Sequence, residues 1–247
     1  MNTRIVIIPT YNEIENIQAI IEKVLSLDPV FDLLIVDDGS PDGTAACVKT
    51  LQEAHPNRIH LLERKGKLGL GTAYIAGFKY ALAKSYEYIF EMDADFSHNP
   101  DDLIRLYDAC ANQGAFMSIG SRYINGVNVV NWPIGRVLMS YFAGFYVRFI
   151  TGMPVQDATA GFVCYRRKVL ETIPLDQIKF IGYAFQVEMK FTTWKYGFKM
   201  IEVPIIFTDR TKGESKMSAN IFKEAIFGVI QLKVNSLFKR YQANNGL

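Results

Sequence analysis

The chain has 247 residues, 49% hydrophobic and 21% charged, which supplies one sizeable α/β core and excludes disordered, collagen-like and low-complexity classes. With 27 basic residues against 25 acidic ones, the net charge of +2 gives no electrostatic reason to expect a nucleic-acid partner. The charge is uneven, however: from Arg210 onward seven basic residues stand against two acidic ones, a cationic tail on a mildly acidic body.

Short β-branched runs at 5–8, 33–36, 59–62, 88–92 and 116–120 read as buried strands. The first begins without a cationic leader or cleavage site, which predicts a chain retained in the cytoplasm. Between the first two runs, Ile14, Ile17, Ile20, Ile21, Val24 and Leu25 recur at helical spacing. Helices at 43–54, 71–84 and 100–113 fill the following gaps, the last with Pro in its first turn. Such alternation predicts a parallel sheet with helices on both faces, in which ligands bind beyond the carboxyl ends of the strands.

After residue 120 the pattern changes. A polar Gly/Asn-rich stretch at 121–133 precedes a helix at 136–150 crowded with aromatic and aliphatic residues. That stretch carries Arg148 and is stopped by Gly152 and Pro154, so it is not expected to span a membrane. Strands at 162–165 and 201–207 flank a helix at 185–196, and a polar loop at 209–217 leads to a final helix at 219–240. On that helix Ile221, Phe222, Ala225, Ile226, Val229, Ile230, Leu232 and Leu237 cover about half the circumference, interrupted by Lys233. Residues 1–217 thus read as one unit, and 218–247 as a helical extension suited to peripheral contact with a membrane surface. Cys47, Cys110 and Cys164 are odd in number and lack CxxC spacing, which points to free thiols.

Three strand ends carry acidic clusters. The first runs into Pro9-Thr10-Tyr11-Asn12-Glu13, the second into Asp37-Asp38-Gly39-Ser40, the fourth into Asp93-Ala94-Asp95. Each alone suits a turn or helix cap, but together they gather carboxylates that repel unless a cation compensates. A divalent ion held by one or two carboxylates and substrate phosphates fits Asp93-x-Asp95. The segment from Lys65 to Thr72 resembles a phosphate loop but has Thr72 where Walker A needs Lys, and Tyr74 where the dinucleotide motif needs Gly. Its glycines instead suit a tight turn into a helix, with Lys67 near a bound anion. His98 reads as a local hydrogen-bonding group beside the carboxylates. Arg122, Arg136, Arg210, Lys212 and Lys216 supply the positive charge at this edge.

These residues, in this order, resemble the family 2 glycosyltransferases of GT-A fold, and among them the dolichyl-phosphate (polyprenol-monophosphate) mannose synthases. The matching segments span almost the whole chain. The run Asp93-Ala-Asp-Phe-Ser-His-Asn-Pro and the pattern from Asp209-Arg to Gly-Glu-Ser-Lys216 are the most particular to that group. The resemblance implies a Rossmann-like, mostly parallel sheet and transfer of mannose from GDP-mannose to a polyprenyl phosphate, with inversion. It implies that Pro9, Tyr11, Glu13, Val36 and Asp38 hold the nucleoside, with Lys67 near the donor. Asp93, Asp95 and Ser97 would bind Mg²⁺ or Mn²⁺ with Ala94 lining the site; Ser97 stands where some members have Gln. Arg122, Arg210 and Lys216 would neutralise donor phosphates, while Arg122, Arg136 and Ser140 would receive the acceptor phosphate. Asp95, Arg122 and Asp157 carry the catalytic expectation, Asp157 as a candidate base. UDP-glucose as donor, a polysaccharide acceptor, and a sugar-nucleotide-binding module without catalysis remain open alternatives here.

Overall fold

The computed structural model describes residues 3–210 and 220–241. Its first half alternates as the sequence predicts: β1 (Arg4–Thr10), α1 (Ile14–Leu25), β2 (Asp32–Asp37), α2 (Thr44–Ala54), β3 (Ile59–Glu63), α3 (Leu70–Ala83), β4 (Tyr88–Glu91), α4 (Asp102–Ala111) and β5 (Met117–Ser121). The second half contains β6 (Val129–Val130), α5 (Ile134–Thr151), β7 (Val163–Arg166), α6 (Arg167–Thr172) and α7 (Tyr183–Lys195). It ends with β8 (Met200–Pro204), β9 (Phe207–Thr208) and α8 (Asn220–Phe238).

Seven strands form one sheet in the order β3-β2-β1-β4-β7-β5-β8. All neighbours run parallel except β7, which lies antiparallel between β4 and β5. The sheet is therefore mostly parallel, as the GT-A resemblance implies. The predicted strand at 201–207 is divided. Its first part becomes β8, and Phe207–Thr208 leaves the sheet to pair with β6 in a separate two-stranded ribbon over the site.

The alternation of side chains along each strand sorts the core into two layers. Ile5, Ile7, Leu34, Val36 and Ile89 face one side, beneath α3, α5, α7 and α8. Val6, Ile8, Leu33, Ile35 and Phe90 face the other, beneath α1, α2 and α4. Because both faces are covered, the central strands are apolar throughout rather than alternating. Helix α8 docks through Val229 and Leu232, which belong to the first layer. Lys233, the interruption in its apolar arc, donates to the Thr151 carbonyl at 3.0 Å, closing the C-terminal end of α5. Phe227, Val234, Leu237 and Phe238 on the same helix face outward. No described helix is long and apolar enough to cross a membrane.

Candidate active site

The carboxyl ends of β1, β2 and β4 lie side by side, with Pro9 opposite Val36 and Thr10 opposite Asp37 in register. Two of the acidic residues there build turns. Asp37 accepts from Thr10 Oγ1 at 2.9 Å and from the Ser40 backbone N–H at 2.9 Å. Asp42 accepts from the Ile14 N–H at 3.0 Å and the Thr44 N–H at 3.0 Å, fixing where α1 and α2 begin. Asp38 has a different partner: Arg64 Nε donates to it at 2.6 Å, and the same guanidinium reaches Thr72 Oγ1 at 2.8 Å. Arg64 was not among the residues singled out from sequence. It ties the Asp38 carboxylate to the glycine loop.

That loop does what its glycines predict. Gly71 N–H donates to the Ile181 carbonyl at 2.9 Å, and a Cβ at Gly71 would fall 2.8 Å from Phe180 O and from the Phe185 ring. Only glycine lets the start of α3 sit so close to the 180–185 segment. Lys67 places its ammonium 5.3 Å from the Tyr11 ring centroid, so the loop lysine and the strand-end tyrosine share one edge. The Glu13 N–H donates to Thr44 Oγ1 at 3.1 Å. Val36 is wholly buried, within β2 between Pro9 of β1 and Leu62 of β3.

Beyond β4 the chain bends, and the two carboxylates of Asp93-x-Asp95 part. Asp95 is buried; its Oδ1 accepts from Ser97 Oγ at 2.6 Å and its Oδ2 meets Arg210 at 2.9 Å. Asp93 is 40% exposed on its side chain and lines a cavity of about 440 Å³. Desolvation and the neighbouring Asp95 charge hold the Asp93 carboxyl above its ordinary range. Ala94 turns away from the cavity, its methyl packed in the second core layer. His98 is buried, stacked on Phe162 with centroids 4.8 Å apart, and its Nδ1 accepts the Asp93 N–H at 3.4 Å. Burial pushes its imidazole down to about 4, so it is neutral at pH 7 and serves as the local hydrogen-bonding group expected.

Among the described residues no group of three or more His, Cys, Asp or Glu could cage a metal. Asp93 alone of the two carboxylates lines the cavity, which fits the other arrangement, a hard divalent ion held by one or two carboxylates and completed by phosphate oxygens and water. Arg210, expected on phosphate, is seated on Asp95; Lys212 and Lys216 lie outside the described residues.

The far wall of the cavity is cationic and aromatic. Arg122 binds Asp157 through both ends of its guanidinium at 2.7 Å each, and also reaches Thr159 Oγ1 at 2.9 Å. Burial alone would raise the Asp157 carboxyl, but the charge and hydrogen bonds of Arg122 hold it below its ordinary value. Both of its oxygens face Arg122, so the geometry makes Asp157 a positioning group for that arginine. Glu202 on β8 accepts the Gln156 N–H at 2.7 Å and the Asp157 N–H at 2.9 Å, pinning this turn to the sheet. Arg136 lies 4.1 Å from the Trp132 ring centroid and donates to Asp209 at 2.9 Å. Ser140, one turn further along α5, accepts from the Tyr123 hydroxyl at 2.7 Å. Arg122, Arg136 and Ser140 thus line the same cavity.

Behind Asp93 lies a buried network that sequence reading missed. Glu91 accepts from Tyr165 at 3.2 Å and from Gln186 Nε2 at 2.5 Å, while Lys190 donates to the Ala160 carbonyl at 2.6 Å and to Gln186 Oε1 at 3.1 Å. Burial raises the carboxyl and lowers the ammonium. Gln186 lines the cavity with its amide fixed between the two.

The chain is 46% identical over 96% of its length to polyprenol monophosphomannose synthase of Mycolicibacterium smegmatis, covering 89% of that protein. It is 43% identical to undecaprenyl-phosphate mannosyltransferase of Micrococcus luteus, with 98% of each chain covered. Among solved structures, glucosyl-3-phosphoglycerate synthase of Mycobacterium tuberculosis, bound to Mn²⁺, UDP and glucosyl-3-phosphoglycerate, shares the fold. Its TM-score is 0.66 at 17% identity, over 97% of this chain and 81% of that one. A mannosyltransferase from Pyrobaculum calidifontis, in complex with GDP-Man and Mn²⁺, superposes with a TM-score of 0.55 at 16% identity, over 96% and 74% of the two chains. Residues 5–174 match glycosyl transferase family 2, and with strand ends, acidic edge and cationic wall in place the chain belongs to that family of glycosyltransferases.

Proposed function

We propose that this chain moves mannose from GDP-mannose to a polyprenyl phosphate of the dolichyl type, with inversion at the anomeric carbon. One observation carries the reading: a single cavity is lined by Asp93, by the cations Arg122 and Arg136, and by Tyr146, Val147 and Val229. That combination of surfaces suits a sugar diphosphate, a phosphate monoester and the first isoprenoid units. The names of the two bacterial relatives support the same acceptor and sugar.

Donor binding is assigned to Pro9, Tyr11, Glu13, Val36, Asp38 and Lys67 on the nucleoside side, and to Asp93, Asp95, Arg210 and Lys216 at the diphosphate. A Mg²⁺ or Mn²⁺ ion held by Asp93, Asp95 and Ser97 would supply charge neutralisation to the leaving GDP. Arg122 stands where charge develops between donor and acceptor, held rigid by Asp157, and preorganised cations of this kind stabilise the transition state. The acceptor phosphate has a second pKa of about 6 and is mostly dianionic at pH 7, so it attacks without a strong protein base. This accords with Asp157 committed to Arg122 rather than placed to take a proton.

The lipid arrives from a bilayer. Ile134, Phe142, Phe145 and Phe149 on α5 and Phe227, Leu237 and Phe238 on α8 are exposed apolar side chains on two helices that pack together. They support peripheral attachment to the cytoplasmic leaflet, with residues 1–217 as catalytic unit and 218–247 as the membrane-contacting extension. The reading is tested by incubating the full chain and Mn²⁺ with polyprenyl phosphate and radiolabelled GDP-mannose or UDP-glucose. Label in the organic phase from GDP-mannose alone is expected; label from UDP-glucose alone would reassign the donor, and label from neither would remove the activity.

A further inference from the structure

Burying a polar atom without a partner costs stability, so folds keep such atoms for a reason. Among the described residues two buried side-chain nitrogen or oxygen atoms have no hydrogen-bond partner, Tyr74 Oη and Trp132 Nε1. Both belong to residues that line the active-site cavity, on different walls.

Tyr74 is on α3, fully buried, with its ring parallel to that of Phe185 at 5.9 Å. Its burial, with the charges of Asp93, Glu91 and Asp95, keeps it a neutral hydroxyl, able to donate and to accept. Gln186, in the sequence position after its stacking partner, faces the same cavity with its amide locked between Glu91 and Lys190. A neutral donor–acceptor beside a fixed amide is suited to an uncharged hydroxyl group. Trp132 stands under two cations, 4.1 Å from Arg136 and 5.6 Å from Arg122 measured to its ring centroid. Its indole N–H can only donate, which suits an anionic oxygen held by those same arginines.

We propose that these two atoms recognise the two reacting partners: Tyr74 Oη a hydroxyl of the transferred hexose, and Trp132 Nε1 an oxygen of the acceptor phosphate. The assignment rests on the function proposed above. Neither hydrogen bond is needed by the fold, since Phe at either position keeps an aromatic ring in place. Tyr74 then contributes to sugar specificity, because a site built to bond a hydroxyl rejects analogues that cannot supply it.

The test uses the full-length chain with Tyr74→Phe and Trp132→Phe, GDP-mannose, polyprenyl phosphate and Mn²⁺. Tyr74→Phe is expected to lower kcat/KM for GDP-mannose by about 10–100-fold, leaving GDP affinity and acceptor KM at wild-type values. Trp132→Phe is expected to raise acceptor KM by about tenfold, leaving donor KM unchanged. The Tyr74→Phe thermal midpoint should equal or exceed that of the wild type, which a hydroxyl bonded within the fold would not allow. Wild-type kinetics in either variant overturns that residue's assignment, and so does activity lost in parallel with a lowered midpoint. If the wild type transfers no mannose, the proposed function falls separately. Tyr74 is then judged by calorimetry: the variant must lose the affinity difference between GDP-mannose and GDP, and a wild type without that difference overturns the assignment too.

Discussion

Helices α1 and α5 are both rich in apolar residues, and they meet opposite surroundings. On α1, Ile17, Ile20, Ile21 and Val24 have no exposure at all, pressed onto one face of the sheet. On α5, Ile134 is 74%, Phe142 60% and Phe149 77% exposed, while Val147 is the one large apolar side chain buried in the core. Apolar content by itself therefore says little about burial. What differs is the neighbour: α1 covers a sheet face that must be closed, and α5 runs past the cavity with α8 beside it. The first helix holds the molecule together; the second presents a surface that the fold does not consume.

Asp157 tests how sharp that division is, since it holds the cavity-lining Arg122 and is buried as deeply as α1. Asp157→Asn should cost roughly 3–5 kcal/mol at pH 7, because it strands the Arg122 charge. With a native carboxyl pKa held below its ordinary value, the ionised group stabilises the fold above the usual carboxylate range. The difference from the variant should then shrink as pH falls through the folded pKa, followed by urea unfolding. A constant difference from neutral to acid pH would contradict the ion pair. On the α1 side, Ile20→Ala should cost about 2–5 kcal/mol by denaturant unfolding yet leave kcat of the folded protein intact. A large kcat change there would dissolve the contrast. At the acidic edge Asp95→Ala should lower transfer by roughly 10²–10³, with its cooperative unfolding retained. Full activity in that variant, or in wild type with EDTA, would remove the metal assignment. The smallest effect on stability belongs to α5: Phe142→Ser with Phe149→Ser should move unfolding by about 0.5 kcal/mol or less while cutting sedimentation with anionic liposomes. Undiminished sedimentation would locate the membrane contact elsewhere.

The strands and helices up to β5 were legible because each has one clear period and Gly or Pro punctuation. The antiparallel direction of β7 was not, since a run such as Val163-Cys-Tyr-Arg166 looks the same in either direction and only pairing decides. Helix α6, opening on Arg167-Lys168, has too few residues to show a period, and β6 with β9 is two residues against two. In the site, Asp93, Asp95, Arg122 and Arg136 could be found because strand ends and motif order point to them. Arg64 and the Glu91–Gln186–Lys190 group could not. Each lies among ordinary charged residues in the chain, and its meaning arises only when α7 packs over β4 or the glycine loop folds beneath β2. Turn building, the plain alternative for each acidic cluster, held for Asp37, while Asp93 kept its place at the cavity.

The insertion of β7 between β4 and β5 has a bearing on synthesis. As the chain leaves the ribosome, β1 to β4 can pair among themselves, but β5 has only β7 and β8 as neighbours. Residues 117–121 thus emerge with no sheet partner until Val163 and its successors have been made. Meanwhile the apolar residues of α5 are already exposed to solvent. A nascent chain halted in that interval presents two open strand edges and a greasy helix at once, the combination that invites aggregation and chaperone capture.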